Sequence, residues 1–291
     1  MKSAPFEYSK PKSVHQAIAL LQQYGDDARI LAGGQTLIAT LNMRLSDPQL
    51  VIDITGLDEL RGITLIGDFV RIGALATHTE IEYDDLIRTH APLLSTAAPY
   101  IAHRAIRNRG TWGGSIAYAD PAAEWPTCLL ALNGSVRLLG PNGERTVAID
   151  DFFTGLYTTA IEADEILISS DIPIAQSTHW YAFEELARRH GDYAIVGMAA
   201  SANKEGDRLS QPRIVLLGVD TTPVRAIKTE AVLDGKPITE EVIAQAEECL
   251  RAEIDPLPDL TNTPDTKRHL AAVLLKRILS SVQSKKENDR E

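Results

Sequence analysis

Ala28-Arg-Ile-Leu-Ala-Gly-Gly-Gln-Thr-Leu-Ile-Ala-Thr-Leu-Asn-Met-Arg-Leu45 joins a short apolar run to an amphipathic one through a pair of glycines. Ala28 to Ala32 has the compact apolar character of a buried strand, whereas Leu37, Leu41 and Leu45 recur at helical spacing and predict a helix over Thr36 to Leu45. Strand, glycine turn and helix in that order aim free backbone N–H groups and the positive end of a helix dipole at one spot. Gly33 and Gly34 let the backbone approach an anion closely, and the Gln35 amide and Thr36 hydroxyl add donors. The same residues also suit a tight turn with no ligand, and both readings stand on this stretch alone. The spacing is neither the G-x-G-x-x-G of a Rossmann site nor the G-K-[ST] of a P-loop, so neither standard nucleotide fold is implied.

Upstream, Ser13-Val-His-Gln16 has the form of a capping box opening a helix that Gly25 closes. Downstream, Val51 to Ile54 and Phe69 to Gly73 read as strands, and helices are predicted to start at Thr79 and to run from Ala91 to Ala102. Arg104 to Pro121 has no sustained period and reads as a functional loop. Glu124 to Leu132 is a predicted helix, Ser135 to Leu139 and Arg145 to Ala148 form a predicted hairpin around Pro141-Asn-Gly143, and Ile166 to Ile172 is a strand that Pro173 closes. From Trp180 the pattern changes to long strands, Tyr181 to Arg188, Ala194 to Ala202 and Ile214 to Val219, then helices at Thr239 to Arg251 and Pro264 to Leu279. The organisation expected is a first domain over 1–175, with subdomains of about 1–56 and 57–175, a second α+β domain over 176–284, and a polar tail over 285–291.

At 291 residues the chain is long enough for two cores. A net charge of -11 disfavours nucleic acid and anionic lipid as partners, since both need clustered Lys and Arg. No apolar run approaches the roughly 20 residues of a membrane span and the start does not resemble a signal peptide, so a cytoplasmic location is expected. Cys128 and Cys249 stand alone, without a second Cys or His at ligand spacing, which predicts no metal in this chain. Electron transfer, if it occurs, then needs an organic cofactor.

A second glycine segment, Gly110-Thr-Trp-Gly-Gly-Ser115, offers further backbone and hydroxyl donors, and Asp120 and Glu124 follow closely enough to accept from ribose or ribityl hydroxyls. Two such turns suit a diphosphate. The alternative is a strained hairpin whose neighbours Arg104, Arg107 and Arg109 form a solvated face. Near Phe183 to Val196 a charged turn joins two strands and presents Tyr193, which can stack on a flat ring or cap a core edge. His78, His103 and His190 have no partner at catalytic or metal spacing, and no Ser/His/Asp set or carboxylate pair is placed by spacing.

Four segments carry a resemblance over nearly the whole chain: Leu31-Ala-Gly-Gly-Gln-Thr36, Ile72-Gly-Ala-Leu-Ala-Thr-His-Thr79, Ile106 to Pro121, and Phe183-Glu-Glu-Leu-Ala-Arg-Arg-His-Gly-Asp-Tyr193. Together they resemble the FAD-binding medium subunit of the xanthine dehydrogenase and carbon monoxide dehydrogenase family of molybdenum hydroxylases. The resemblance implies an α+β fold, a two-subdomain FAD-binding domain of the PCMH/VAO type followed by a C-terminal domain of a three-stranded antiparallel sheet with helices. It implies that Ala32, Gly33, Gly34, Gln35 and Thr36, with Gly110, Thr111, Trp112, Gly113, Gly114 and Ser115, cradle the FAD diphosphate. Arg29, Ile30 and Leu31 would lie beside them, Asp120 or Glu124 would hold cofactor hydroxyls, Ile101 and Leu167 would give apolar contacts, and Tyr193 would lie against the isoalloxazine. No side chain need be catalytic. Partners implied are a small subunit with two [2Fe-2S] clusters and a large molybdopterin subunit, as a dimer of heterotrimers, with NAD, a quinone, a cytochrome or oxygen as electron acceptor. The alternatives are a stand-alone flavin oxidase and a scaffold subunit without flavin. The chain departs from relatives resembling animal xanthine dehydrogenase, which carry a Lys where Glu184 stands, and it lacks the cysteine-bearing insert of those resembling 4-hydroxybenzoyl-CoA reductase.

Overall fold

The computed structural model describes residues 2–284, and the polar tail expected over 285–291 lies outside them. The first sheet is parallel, with β1 (Glu7–Ser9) and β2 (Ala28–Leu31) on either side of β3 (Leu50–Asp53). All four residues of β3 are buried, as a central parallel strand covered on both faces requires. Between β1 and β2 runs α1 (Val14–Tyr24), where the Ser13 hydroxyl accepts from the Gln16 N–H. The reciprocal half of the expected capping box is not made, because Gln16 Oε1 accepts from the Lys12 N–H instead. The helix after the glycine turn, α2 (Leu37–Asn42), is shorter than its periodicity predicts. Arg44 turns left-handed, with φ 57°, and Leu45 ends 72% exposed rather than on the buried face.

The second sheet has the order β4 (Ile63–Ile66), β5 (Phe69–Gly73), β10 (Ile166–Pro173), β6 (Ser135–Gly140), β7 (Gly143–Ala148), every neighbour antiparallel. A small ribbon, β8 (Phe153–Gly155) with β9 (Thr158–Thr159), stands beside it. The edge strand β4 escapes sequence reading because Thr64, Leu65 and Ile66 are exposed and show no alternation of burial. Between β5 and β6 come α3 (His78–Tyr83), α4 (Asp85–His90), α5 (Pro92–Ala97), α6 (Arg104–Arg107), α7 (Trp112–Tyr118) and α8 (Glu124–Ala131). The single helix expected over Ala91 to Ala102 is α5 followed by a short 3₁₀ turn containing Pro99, a residue that breaks helical hydrogen bonding. The expected loop over Arg104 to Pro121 is also corrected: much of it is α6 and α7. Gly113 and Gly114 sit in the first turn of α7, and a Cβ on Gly113 would stand 2.6 Å from that of Ala74. These glycines permit close packing; they do not break the helix.

In the third sheet β11 (His179–Leu186), β12 (Val196–Glu205) and β13 (Arg208–Leu217) are antiparallel neighbours, and the two-residue edge strand β14 (Val224–Arg225) extends the expected three strands to four. Then follow α9 (Ile227–Leu233), which sequence reading missed, α10 (Glu240–Glu253) and α11 (Pro264–Ser284). Alternation along the strands divides their side chains between two cores. Trp180, Met198, Ala200 and Leu216 pack in one cluster with Leu250 of α10 and Leu275 of α11. Phe183, Ala199, Val215 and Leu217 join Leu94 of α5 and Trp125 and Leu129 of α8 in the other.

Candidate functional site

The turn from β2 to α2 carries a row of unused donors. Ile38 N–H donates to the Gly34 carbonyl (3.1 Å) and Thr40 N–H to that of Thr36 (3.0 Å), but the N–H groups of Gly33, Gly34, Gln35 and Thr36 meet no acceptor among the described residues. Gln35 folds its amide back onto the Gly33 carbonyl, 3.1 Å away, and Gly34 adopts φ 73°. Gly33 has a different task. A Cβ there would stand 2.3 Å from the Arg109 carbonyl oxygen and 2.8 Å from Gly110 Cα, so its bare Cα lets the two glycine segments touch.

The second segment is not the second row of donors that its glycines suggest. Gly110 N–H donates to Ile106 O (2.7 Å), Trp112 N–H to Ala76 O (2.8 Å), Gly113 N–H to Ala74 O (2.8 Å), Ser115 N–H to Thr111 O (3.1 Å) and Gly114 N–H to the Thr111 hydroxyl (3.2 Å). Thr111 alone keeps a free N–H. The segment is braced from behind, where Trp112 Nε1–H donates to Ser170 Oγ (2.9 Å) and His78 N–H to the Gly110 carbonyl (3.0 Å). Trp125 Nε1–H donates to His78 Nδ1 (2.9 Å), which leaves the proton of the neutral ring on Nε2. Burial, with the Arg107 charge adding to it, holds the His78 pKa down at about 3. Arg107 itself is tied to Glu82 at 2.9 Å with both side chains largely covered, so it is a structural ion pair and not part of a solvated basic face.

Beside the first turn opens a cleft of about 310 Å³. Ala32 and Gly33 line it together with Thr77, Asn108, Arg109 and Thr111, and with Thr55 and Arg61. The Arg61 guanidinium is spent on the Thr55 carbonyl (2.7 Å) and on Asp58 (3.5 Å). That of Arg109 has no acceptor among the described residues. The free N–H groups of the adjoining turn and the unpaired guanidinium of Arg109 are the donors an anion would need here. Arg61, Thr55 and Asn108 carry no signal in sequence, because each stands in a turn whose path only the fold sets.

Asp120, Glu124 and Tyr193 form a second, acidic group. The Tyr193 ring is 68% exposed while its hydroxyl lies against Asp120, and covering of that hydroxyl, with Asp120 adding, pushes its pKa up to about 12. Burial raises Asp120 against the hydrogen bonds it accepts from the Ala122 N–H (2.9 Å) and Tyr193. Burial also lifts Glu124, at the start of α8, to about 7. The Tyr118 and Tyr157 rings stand 5.1 Å apart, and burial, with the Asp120 charge adding to it, raises the pKa of both. Ile101 and Leu167 are buried in the core beneath. Arg29 turns its guanidinium onto the Asp26 and Ala28 carbonyls, both at 2.7 Å, and Ile30 packs against a further cluster formed by Val14 and Ile18 of α1 with Leu50 and Ile52 of β3. Glu184 does not face this group: it pairs with Arg277 at 3.9 Å, and its neighbour on the strand, Glu185, is the residue that acts on Cys128 together with Glu124.

Among the described residues no group of three or more His, Cys, Asp or Glu could hold a metal ion, and no helix is long and apolar enough to cross a membrane. The profile of the FAD binding domain in molybdopterin dehydrogenase matches residues 4–175, and that of the CO dehydrogenase flavoprotein C-terminal domain matches 181–282. The carbon monoxide dehydrogenase medium chain of Hydrogenophaga pseudoflava is 39% identical, covering 95% of this chain and 96% of its own. The nicotine 6-hydroxylase medium subunit of Paenarthrobacter nicotinovorans is 36% identical over 96% and 98% of the two chains. Among solved structures, the carbon monoxide dehydrogenase of H. pseudoflava superposes with a TM-score of 0.95 at 39% identity, over 98% of this chain and 99% of that one. Quinoline 2-oxidoreductase of Pseudomonas putida 86 does so with 0.92 at 36%, over the same shares. These likenesses run the length of the chain and include both glycine segments, and the chain therefore belongs to the family of FAD-binding medium subunits of molybdenum hydroxylases.

Proposed function

We propose that FAD lies along the line from the Gly33–Thr36 turn to Tyr193, its diphosphate on the free N–H groups beside Arg109 and its ribityl and ring toward Asp120, Glu124 and Tyr193. The observation that carries this reading is the row of four free N–H groups next to an unpaired guanidinium. The charge distribution supports it: the dianionic diphosphate meets donors and a cation, while the hydroxyls and the neutral ring meet acceptors and an exposed aromatic face. Residues 1–175 serve as the cofactor domain, and 176–284 supply Tyr193 from the turn between β11 and β12. When bound, FAD supplies the ability to take electrons one at a time and give them up in pairs. The protein binds and orients it, and no residue of this chain need form or break a covalent bond.

In this reading the chain receives electrons from two [2Fe-2S] clusters of a small subunit, while a large molybdopterin subunit hydroxylates the substrate. The three chains form heterotrimers that pair, in the cytoplasm, and an external acceptor such as NAD, a quinone, a cytochrome or oxygen takes the electrons. The large subunit selects the substrate, and the names of the relatives leave carbon monoxide, an aldehyde, a purine or another N-heteroaromatic compound as its class. The direct test purifies the complex, records its visible spectrum and identifies the flavin released on heating. One FAD per copy of this chain is expected; a complex without flavin overturns the reading. Arg109→Gln is expected to raise the Kd for FAD roughly tenfold, since a hydrogen bond to a charged group contributes about 1.5 kcal/mol. That loss should shrink at high salt, where the charge is screened. An unchanged Kd at low salt removes Arg109 from the site.

A further inference from the structure

Behind the exposed face of Tyr193, three carboxyl groups converge with no cation to balance them. Asp120 accepts from Tyr193 and the Ala122 N–H, Glu124 opens α8, and Glu185 reaches in from β11. Glu185 makes no ion pair and no hydrogen bond with the described residues, and its Oε2 is sealed from solvent. Its partner in register on β12 is Gly197, where a Cβ would already stand 2.8 Å from Leu217 Cδ2 and 3.1 Å from Glu185 Cβ. The groups that face it are Glu124 and Cys128 from α8 and Tyr100 from the 3₁₀ turn, and Asp120 and Tyr193 act on Glu124's side of the group. None of these is a cation, and Arg277 of α11 pairs with the neighbouring Glu184 instead.

A buried carboxylate without a donor is far more costly than a neutral carboxyl, and a second carboxylate nearby adds to that cost. The start of α8 offsets part of it, by about 2 kcal/mol at most in a covered geometry. Burial wins: it pushes Glu185 up to about 8, with Glu124 adding, and Glu124 up to about 7, with Asp120 adding. We propose that Glu124 and Glu185 act as one proton-binding pair of the flavin pocket, and that seating FAD against Tyr193 draws one proton from solvent onto it. The inference rests on the placement of FAD given above. In that placement the ring covers the partly exposed Asp120 and Glu124 side of the group and displaces water from it, which favours the neutral carboxyl. The proton adds to a carboxylate oxygen, and no other bond changes. A protonated carboxyl can donate as well as accept, which suits a ring edge that carries both carbonyl oxygens and an N–H.

The test uses the complex with its partner subunits, depleted of FAD and titrated with FAD by calorimetry at about pH 9, where the unliganded pair is ionised, in two buffers of different ionisation enthalpy. Uptake approaching one proton per FAD is expected, with Kd rising by up to tenfold per pH unit above about pH 8. Glu185→Gln should abolish the uptake and flatten the pH profile, and Glu124→Gln should do the same if the first variant fails to assemble, because the two groups titrate as a pair. Wild-type complex that binds FAD with no buffer-dependent heat and a flat profile overturns the pair while leaving the placement of FAD standing. A wild-type complex that takes up no FAD overturns both.

Discussion

Gly33→Val is expected to cost the chain about 3 kcal/mol or more of stability and to leave the complex without FAD. The reason lies in the protein and not in the ligand. The new Cβ would begin 2.3 Å from the Arg109 carbonyl oxygen and 2.8 Å from Gly110 Cα, both backbone atoms that no rotamer change can move. Gly110 is itself held by its N–H bond to Ile106 O at 2.7 Å and by the His78 N–H on its carbonyl at 3.0 Å. The two segments must therefore part, and the row of free N–H groups parts with them. Gly34→Ala is the contrasting variant: its Cβ would meet only the side chains of Leu31 (3.1 Å) and Ile38 (3.3 Å), which can give, so the φ of 73° dominates. That conformation costs an L-residue about 1–2 kcal/mol. Denaturant unfolding and the FAD-to-protein ratio check both variants. A Gly33→Val protein that is folded and fully loaded with FAD removes the contact with Arg109 from the account.

The second large effect is acid lability that originates at His78. Its folded pKa of about 3 lies below the ordinary 6.5, so the unfolded chain binds the proton more tightly. The stabilising contribution is complete above pH 6.5 and is lost as pH falls toward 3, at about 1.4 kcal/mol per pH unit. Carboxylates held low by partners, such as Glu165 beside Arg145, weaken the fold in the same direction, so the measurement must be a difference. His78→Gln keeps a neutral acceptor for the Trp125 Nε1–H and removes the titration. Unfolding free energies of the two proteins should converge below pH 6.5 as the wild type falls, and parallel curves over that interval would show that folded His78 takes up its proton as readily as the unfolded chain does, so that its pKa is not held down.

Much of the architecture was open to sequence reading, and its failures have physical causes. The strand, turn and helix at Ala28 to Asn42 follow from apolar runs and a glycine pair, and the long strands after Trp180 follow from their length and alternation. Gly110 to Ser115 misled because glycine pairs usually break helices, whereas Gly113 is helical so that Ala74 can approach. The edge strand β4 stayed hidden because exposed strands show no pattern of burial, and α9 because its seven residues span only two turns. At the site, the resemblance brought the first turn, Asp120, Glu124 and Tyr193 into view, but it could not say which N–H groups are spent. It could not find Arg61, whose place beside the cradle depends on the path from β3 to β4. Nor did it point to Glu185, because one step along the strand from Glu184 reverses the face a side chain occupies.

The β11–β13 sheet, with one face packed on α5 and α8 and the other on α10 and α11, sets a rule for recombining this chain with its relatives. A chimera joined at residue 175 would mate the Leu94, Trp125 and Leu129 surface of one parent with the Ala199, Val215 and Leu217 surface of the other, two halves of a jigsaw cut in different proteins. A junction beyond Val219 keeps that seam intact and moves the mismatch to the outer face, where Met198, Ala200 and Leu216 meet the foreign helices. The interchangeable part of such a subunit is then its helical back, and the sheet travels with the flavin side.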